Sequence, residues 1–224
     1  MSDAEIRKAL LAAALPHVVF DGWGDQTFAA AAREAGVPLA QARLACPRGA
    51  ADLAADYHRN ADRALADWLA GEDLSHLRLR DRVAAAVRQR LESVDPEVVR
   101  RGMALLSLPH LAGLGSSLVW DTADTIWTGL GDASTDANWY SKRAILSGVF
   151  AATVVYWLGD ESEGKHETWN FLDRRIDGVM RFETFKRNVT GNPVLSRLLA
   201  GPIWLAGQVR PPARRAARPG RVQP

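Results

Sequence analysis

Residues Trp120 to Arg143 read WDTADTIWTGLGDASTDANWYSKR, and the fold follows from how this stretch divides. Trp120, Asp124 and Trp127 recur at helical spacing on one stripe. Gly129-Leu130-Gly131 then removes the Cβ atoms that resist a turn, so one helix ends there. Ser134 and Thr135 are hydroxyl caps for a following helix, and Asp136 in its first turn complements the positive end of the dipole. On that second helix Asp136, Trp139, Tyr140 and Arg143 stand three, four and seven apart and share a face. Tryptophan, tyrosine and arginine combine apolar area with a polar handle, the combination found at partner-binding surfaces. The same four residues also suit an aromatic core edge closed by a structural ion pair.

Working outward, the composition extends the helical reading to the whole chain. The 224 residues are 47% hydrophobic, enough for one substantial core and a small extra module. Alanine and leucine dominate, and the valine and isoleucine runs are too short and irregular for strands, so the expected fold is all-α. Cys46 is the lone cysteine, which excludes an internal disulfide and fits a reducing compartment. No apolar run approaches the roughly 20 residues that span a bilayer, and the acidic start lacks a secretory cleavage pattern. A cytoplasmic protein is the expectation.

Toward the N-terminus, helices are predicted over Ala4 to Leu15, Thr27 to Ala35 and Leu39 to about Ala45. Gly22-Trp23, Thr27-Phe28, Ala31 and Ala35-Gly36-Val37 resemble the helix-turn-helix module of TetR-type repressors. DNA binding is nevertheless not expected. Met1 to Pro47 holds four basic residues (Arg7, Lys8, Arg33, Arg43) against five acids (Asp3, Glu5, Asp21, Asp25, Glu34), and duplex affinity comes largely from phosphate neutralisation. The module is read as retained for structure.

Between that module and the opening stretch, Ala50 to Leu69 reads as an ordinary packing helix with Leu53, Tyr57, Leu65 and Trp68 near one stripe. Leu79 to Leu91 is amphipathic, and Asp95-Pro96 starts another helix that runs until Pro109. The small residues of Ala112-Gly113-Leu114-Gly115-Ser116-Ser117 allow either close helix contact or ligand room. The helix carrying Arg143 continues through Ile145, Val149, Phe150, Val154 and Trp157 with apolar residues in most directions, so it is expected to be buried nearly all round. Its interleaved small residues suit a long apolar cavity or dense packing equally. Glu163 and His166 have a metal-ligand spacing but lack the further carboxylates and second Glu-x-x-His of a di-iron site, so no metal is expected. With no nucleophile beside its paired acids, the chain is expected to have no catalytic residues.

Trp120-Asp121, Asp124, Trp127, Gly131-Asp132, Ser134-Thr135-Asp136, Asn138-Trp139-Tyr140 and Arg143 closely resemble the signature of the Coq-nine family, accessory lipid-binding proteins of ubiquinone biosynthesis. Trp169, Phe171-Leu172 and Arg175-Ile176 continue the resemblance, which covers about Gly71 to Val189. It implies a TetR-like helical bundle with a degenerate helix-turn-helix over 1–47 and a lipid-binding domain over 48–190. It implies a pocket lined by Leu114, Leu118, Ile126, Trp127, Ser147, Phe150, Ala151 and Val154. The expected occupant is an isoprenoid quinone precursor or a phospholipid, with no enzymatic cofactor. It also implies that Asp136, Trp139, Tyr140 and Arg143 dock a ring hydroxylase of ubiquinone biosynthesis, which does the chemistry. The rival expectation is a TetR-type regulator with a lipid effector.

The charge of the chain is uneven. From Thr184 onward there are eight Lys or Arg and no acid, which leaves a balance of −6 over Met1 to Glu183. Residues 191–209 place Leu195, Leu198, Leu199 and Leu205 on an apolar side, with Trp204 near its boundary and Pro202 as a kink. An arginine-flanked amphipathic segment of this kind suits the surface of an anionic membrane, here the inner face of the cytoplasmic membrane. Packing on its own domain, or on a second subunit in a homodimer, is the alternative. Residues 210–224 read as a basic disordered tail.

Overall fold

The computed structural model describes residues 1–134 and 137–190, with side chains as far as residue 178 except that of residue 137. Asp136, the segment 191–209 with Leu195, Leu198, Leu199, Trp204 and Leu205, and the tail 210–224 therefore lie outside the described residues. Among the described residues the chain forms nine α-helices, one 3₁₀ turn and no strand, as the all-α reading expects.

The N-terminal module begins with a reciprocal cap. The Ser2 hydroxyl accepts from the Glu5 N–H at 3.3 Å, and the Glu5 carboxylate accepts from the Ser2 N–H at 2.7 Å. Helix α1 (Asp3–Asp21) runs through Pro16 instead of stopping at Leu15. Ile6, Leu10, Leu11, Ala14 and Val18 keep one buried stripe across the proline, and that packing outweighs the lost backbone bond. Gly22, at φ +74°, ends it. Helices α2 (Asp25–Glu34) and α3 (Leu39–Ala45) complete the helix-turn-helix.

Helix α4 (Ala50–Gly71) has 22 residues and is about 33 Å long. It joins two cores. Leu53 and Ala54 pack with Leu10, Val18, Phe28 and Cys46 in the first core, which Val98 also enters. Leu65 and Leu69 pack in the second core with Val87, Ile126, Phe150, Trp157 and Leu172. The helix-turn-helix is thus closed by residues from beyond position 47.

Helix α5 (Leu79–Glu92) is followed by α6 (Pro96–Leu106), whose cap is the one expected: Asp95 accepts from the N–H of Glu97 and Val98, and Pro96 opens the helix. The helix ends at Leu106, short of Pro109. Helices α7 (Ala112–Gly129) and α8 (Ala137–Gly159) form an antiparallel pair, and α9 (His166–Thr190) packs on α8 and α5. Between α8 and α9, the Asp160 carboxylate accepts from the Ser162 N–H and from the N–H and hydroxyl of Thr168. The acidic loop is thereby a buried cap for α9.

The expectation that α8 is buried nearly all round is not met. Val155 is 60% exposed and Tyr156 is exposed as well, because α7, α9 and the cavity described below occupy only part of its circumference. Tyr156 stacks on Phe171 of α9 with ring centroids 4.6 Å apart, and Arg175 lies over the other ring at 4.8 Å.

Candidate functional site: an apolar cavity and an aromatic corner

Helices α4 to α8 enclose a cavity of about 240 Å³. Leu118 from α7 and Phe150, Ala151 and Val154 from α8 line it. Leu114, Ile126, Trp127 and Ser147 do not line it, and the register of the two helices explains the last three. Residues 115, 118 and 119 of α7 reach the cavity, and the next turn brings Thr122 to a buried polar cluster with Asp62, Arg90 and His58. Ile126 and Trp127 lie beyond that cluster, in the second core. Ser147 lies a turn before Ala151 along α8, on the same far side, and its buried hydroxyl finds no partner among the described residues. Leu114 is half-buried on α7 beside Gly115, which does line the cavity.

Gly115 resolves what the small-residue run does. A Cβ there would meet the Leu106 carbonyl oxygen at 3.0 Å, so the glycine lets α7 approach α6 closely while bordering the cavity. The remaining walls come from elements read as plain packing: Tyr57 and His58 of α4, Arg90 and Leu91 of α5, and Val99, Met103 and Leu106 of α6. Val99, Met103 and Leu106 stand at i, i+4 and i+7 around Gly102, a stripe the sequence displays. Met103 and Val155 both line the cavity and are exposed, so its mouth opens between α6 and α8.

The aromatic corner sits where α7 meets α8. Trp139 and Tyr140 pack edge to face at 4.8 Å, and Trp120 of α7 joins them with ring centroids at 6.1 and 6.4 Å. Trp120, Trp139 and Tyr140 are each half-buried, leaving part of their rings at the surface. Arg143 differs from its expected role. It is 2% exposed, with Nε donating to Asp124 at 2.5 Å and Nη1 donating to Asp132 at 3.1 Å and to the Trp139 carbonyl at 3.2 Å. Its guanidinium lies 3.9 Å from the Trp139 ring centroid. Arg143 is therefore the structural ion pair beneath the corner, and among the described residues the aromatic surface there is that of Trp120, Trp139 and Tyr140.

Asp132 anchors the turn between the two helices. Burial pushes its carboxyl up, but hydrogen bonds from Lys142, Ser134 and Arg143 outweigh that and hold it down at about 2. Trp127 donates from its indole N–H to the Lys142 carbonyl at 3.1 Å, tying the end of α7 to the start of α8. Trp120 and Trp127 share a stripe in the sequence yet separate here, Trp127 into the core and Trp120 to the corner.

The helical arrangement is that of the TetR-type regulators. A TetR transcriptional regulator from Nitrosomonas europaea superposes with a TM-score of 0.62, covering 77% of this chain and 97% of its own at 20% identity. The family resemblance read from Trp120 to Arg143 is borne out: residues 112–183 match the COQ9 family model. Ubiquinone biosynthesis protein COQ9, mitochondrial, from Xenopus tropicalis is 29% identical over 91% of this chain and 68% of its own length. The Drosophila melanogaster protein of the same name is 32% identical over 83% of this chain and 59% of its own, and the Homo sapiens protein 27% over 91% and 67%. None of the described helices is long and apolar enough to cross a membrane.

Proposed function

We propose that this chain serves ubiquinone biosynthesis as a lipid-binding accessory protein. In this reading the cavity shelters an isoprenoid quinone precursor, the corner of Trp120, Trp139 and Tyr140 meets a ring hydroxylase, and segment 191–209 rests on a membrane surface. The observation that supports it best is the apolar cavity opening beside Met103 and Val155, in a chain whose relatives are named for ubiquinone biosynthesis. A prenyl tail loses about 0.8 kcal/mol for each CH₂ left in water, so a carrier lowers the cost of moving it. The acids near the corner serve as ion-pair partners, which leaves the chemistry to the partner. Solvent extraction of the purified protein followed by mass spectrometry tests the reading. Isoprenoid quinones or their precursors, enriched over the host's bulk lipid, are the expected result. Bulk phospholipid in host proportions would overturn it.

The rival reading, a regulator with a lipid effector, has the fold in its favour. Its reading helix would be α3, which exposes Leu39 and Leu44 and whose Arg43 is paired with Asp25 at 3.8 Å. Such a face offers little to phosphates. A salt-sensitive complex with duplex DNA in a gel-shift series would favour the rival.

A further inference from the structure

The cavity is apolar over most of its wall, and among the described residues its one charged lining residue lies at the closed end. Arg90 is 3% exposed, and Leu91, Leu118 and Phe150 beside it are buried, whereas the mouth lies at Met103 and Val155. Arg90 Nε donates to Asp62 Oδ1 at 2.7 Å and Nη2 donates to the His58 carbonyl at 3.1 Å. Nη1 has no acceptor among the described residues, although the side chain borders the chamber and lies 5.9 Å over the Phe150 ring. Nη1 is not sealed off, so it is reached from the chamber, and the acceptor it lacks is something a ligand can supply.

The surrounding cluster says what kind of acceptor fits. Asp62 Oδ1 also accepts from the Thr122 hydroxyl at 2.9 Å, and His58 Nε2 lies 2.8 Å from that hydroxyl and 3.2 Å from the Leu118 carbonyl. A carbonyl only accepts, so Nε2 carries the proton of a neutral ring. Burial keeps His58 uncharged, its pKa pushed down to about 4. The positive charge of Arg90 is therefore matched by Asp62, and an anionic head group would enter without compensation.

We infer that the cavity takes its ligand ring first: an uncharged ring oxygen, such as a quinone carbonyl or phenol oxygen, accepts from Arg90 Nη1 at the closed end, and the prenyl tail leaves between α6 and α8. This rests on the lipid-binding reading and adds orientation and head-group chemistry to it. The volume agrees. An apolar cavity of about 150 Å³ holds a benzene ring, so 240 Å³ accommodates a ring and the first carbons of a tail but not a long chain. The rest of the tail then runs outward over Val155 and Tyr156, whose exposure on α8 it would cover. A ring stored this way is hidden from water until a partner draws it out.

Titration calorimetry with three probes tests the inference on the full chain: farnesyl benzoquinone, the hydrocarbon with the same tail, and the matching farnesyl carboxylate. The quinone should bind about tenfold tighter than the hydrocarbon, as expected for a hydrogen bond from a charged donor, and the carboxylate no tighter than the quinone. The double substitution Asp62→Leu/Arg90→Met removes both buried charges together and should level quinone and hydrocarbon while both still bind. Equal affinities in the native chain, or a preference that survives in the double variant, would overturn the orientation. Failure of the native chain to bind any of the probes would instead overturn the lipid-binding reading. A second measurement needs no variant: an azide carried on the quinone ring should photolabel peptides containing Leu91, Leu118 or Phe150. Labelling at Met103 or Val155 would place the ring at the mouth and sink the proposal.

Discussion

At the residue scale, Trp139 and Arg143 touch each other and do different work. Arg143 is clamped between Asp124 and Asp132 beneath the aromatic rings, so Arg143→Met leaves Asp132 buried without its guanidinium and should cost about 3 kcal/mol in urea unfolding. Trp139→Ala removes a half-buried ring. It should cost only about 1 kcal/mol, leave far-UV dichroism unchanged, and abolish co-purification with a ring hydroxylase. Retained co-purification would show that the corner is not the docking surface. His58 makes a separate forecast. Its folded pKa of about 4 lies below the unfolded value near 6.5, so between the two only the unfolded chain takes up a proton. Stability should be complete above about pH 6.5 and fall by on the order of 3 kcal/mol as the pH drops to 4. Asp132, held near 2, extends the loss from about pH 4 downward. His58→Gln keeps a donor for the Leu118 carbonyl and should flatten the first part of a urea-midpoint profile against pH.

At the scale of elements, the cavity depends on which turns of α7 and α8 stand apart. Ala151→Trp projects a large ring into that space, so lipid recovered by extraction should fall severalfold while the melting temperature changes little, a filled void straining the core less than an overfilled one. Unchanged lipid content would mean that lipid is held elsewhere. The helices themselves were largely legible, because Asp95-Pro96, Gly36 and the Gly129-Leu130-Gly131 break are local signals that act before any packing. Pro16 was misread because five buried residues of α1 share a stripe that spans it. The cavity was only half legible: the spacing on α7 and α8 left cavity and dense packing open, the family resemblance alone pointed to Leu118, Phe150, Ala151 and Val154, and α4, α5 and α6 contribute walls whose apolar stripes look the same whether they meet solid core or empty space. Arg143 could not be assigned from spacing, since Asp124 reaches it across a turn from another helix.

On the scale of the whole molecule, α4 is the common strut of two cores, one under the helix-turn-helix and one beside the cavity. The basic balance after Thr184 is a property of the sequence, and it sets a forecast for the full chain. The protein should float with vesicles containing phosphatidylglycerol and be released by salt, whereas a chain truncated after Thr190 should not float. Equal flotation of the two would assign membrane contact to the described helices.

Cys46 sits wholly inside the first core, where burial raises its thiol to about 11. A maleimide dye must therefore wait for that core to breathe, and its uptake acts as a stopwatch for a core whose Trp23, Ala54 and Val98 also border the cavity. If loading with quinone slows the stopwatch, the filled cavity is stiffening the first core through these shared residues. An unchanged reading would make that core indifferent to what the cavity holds.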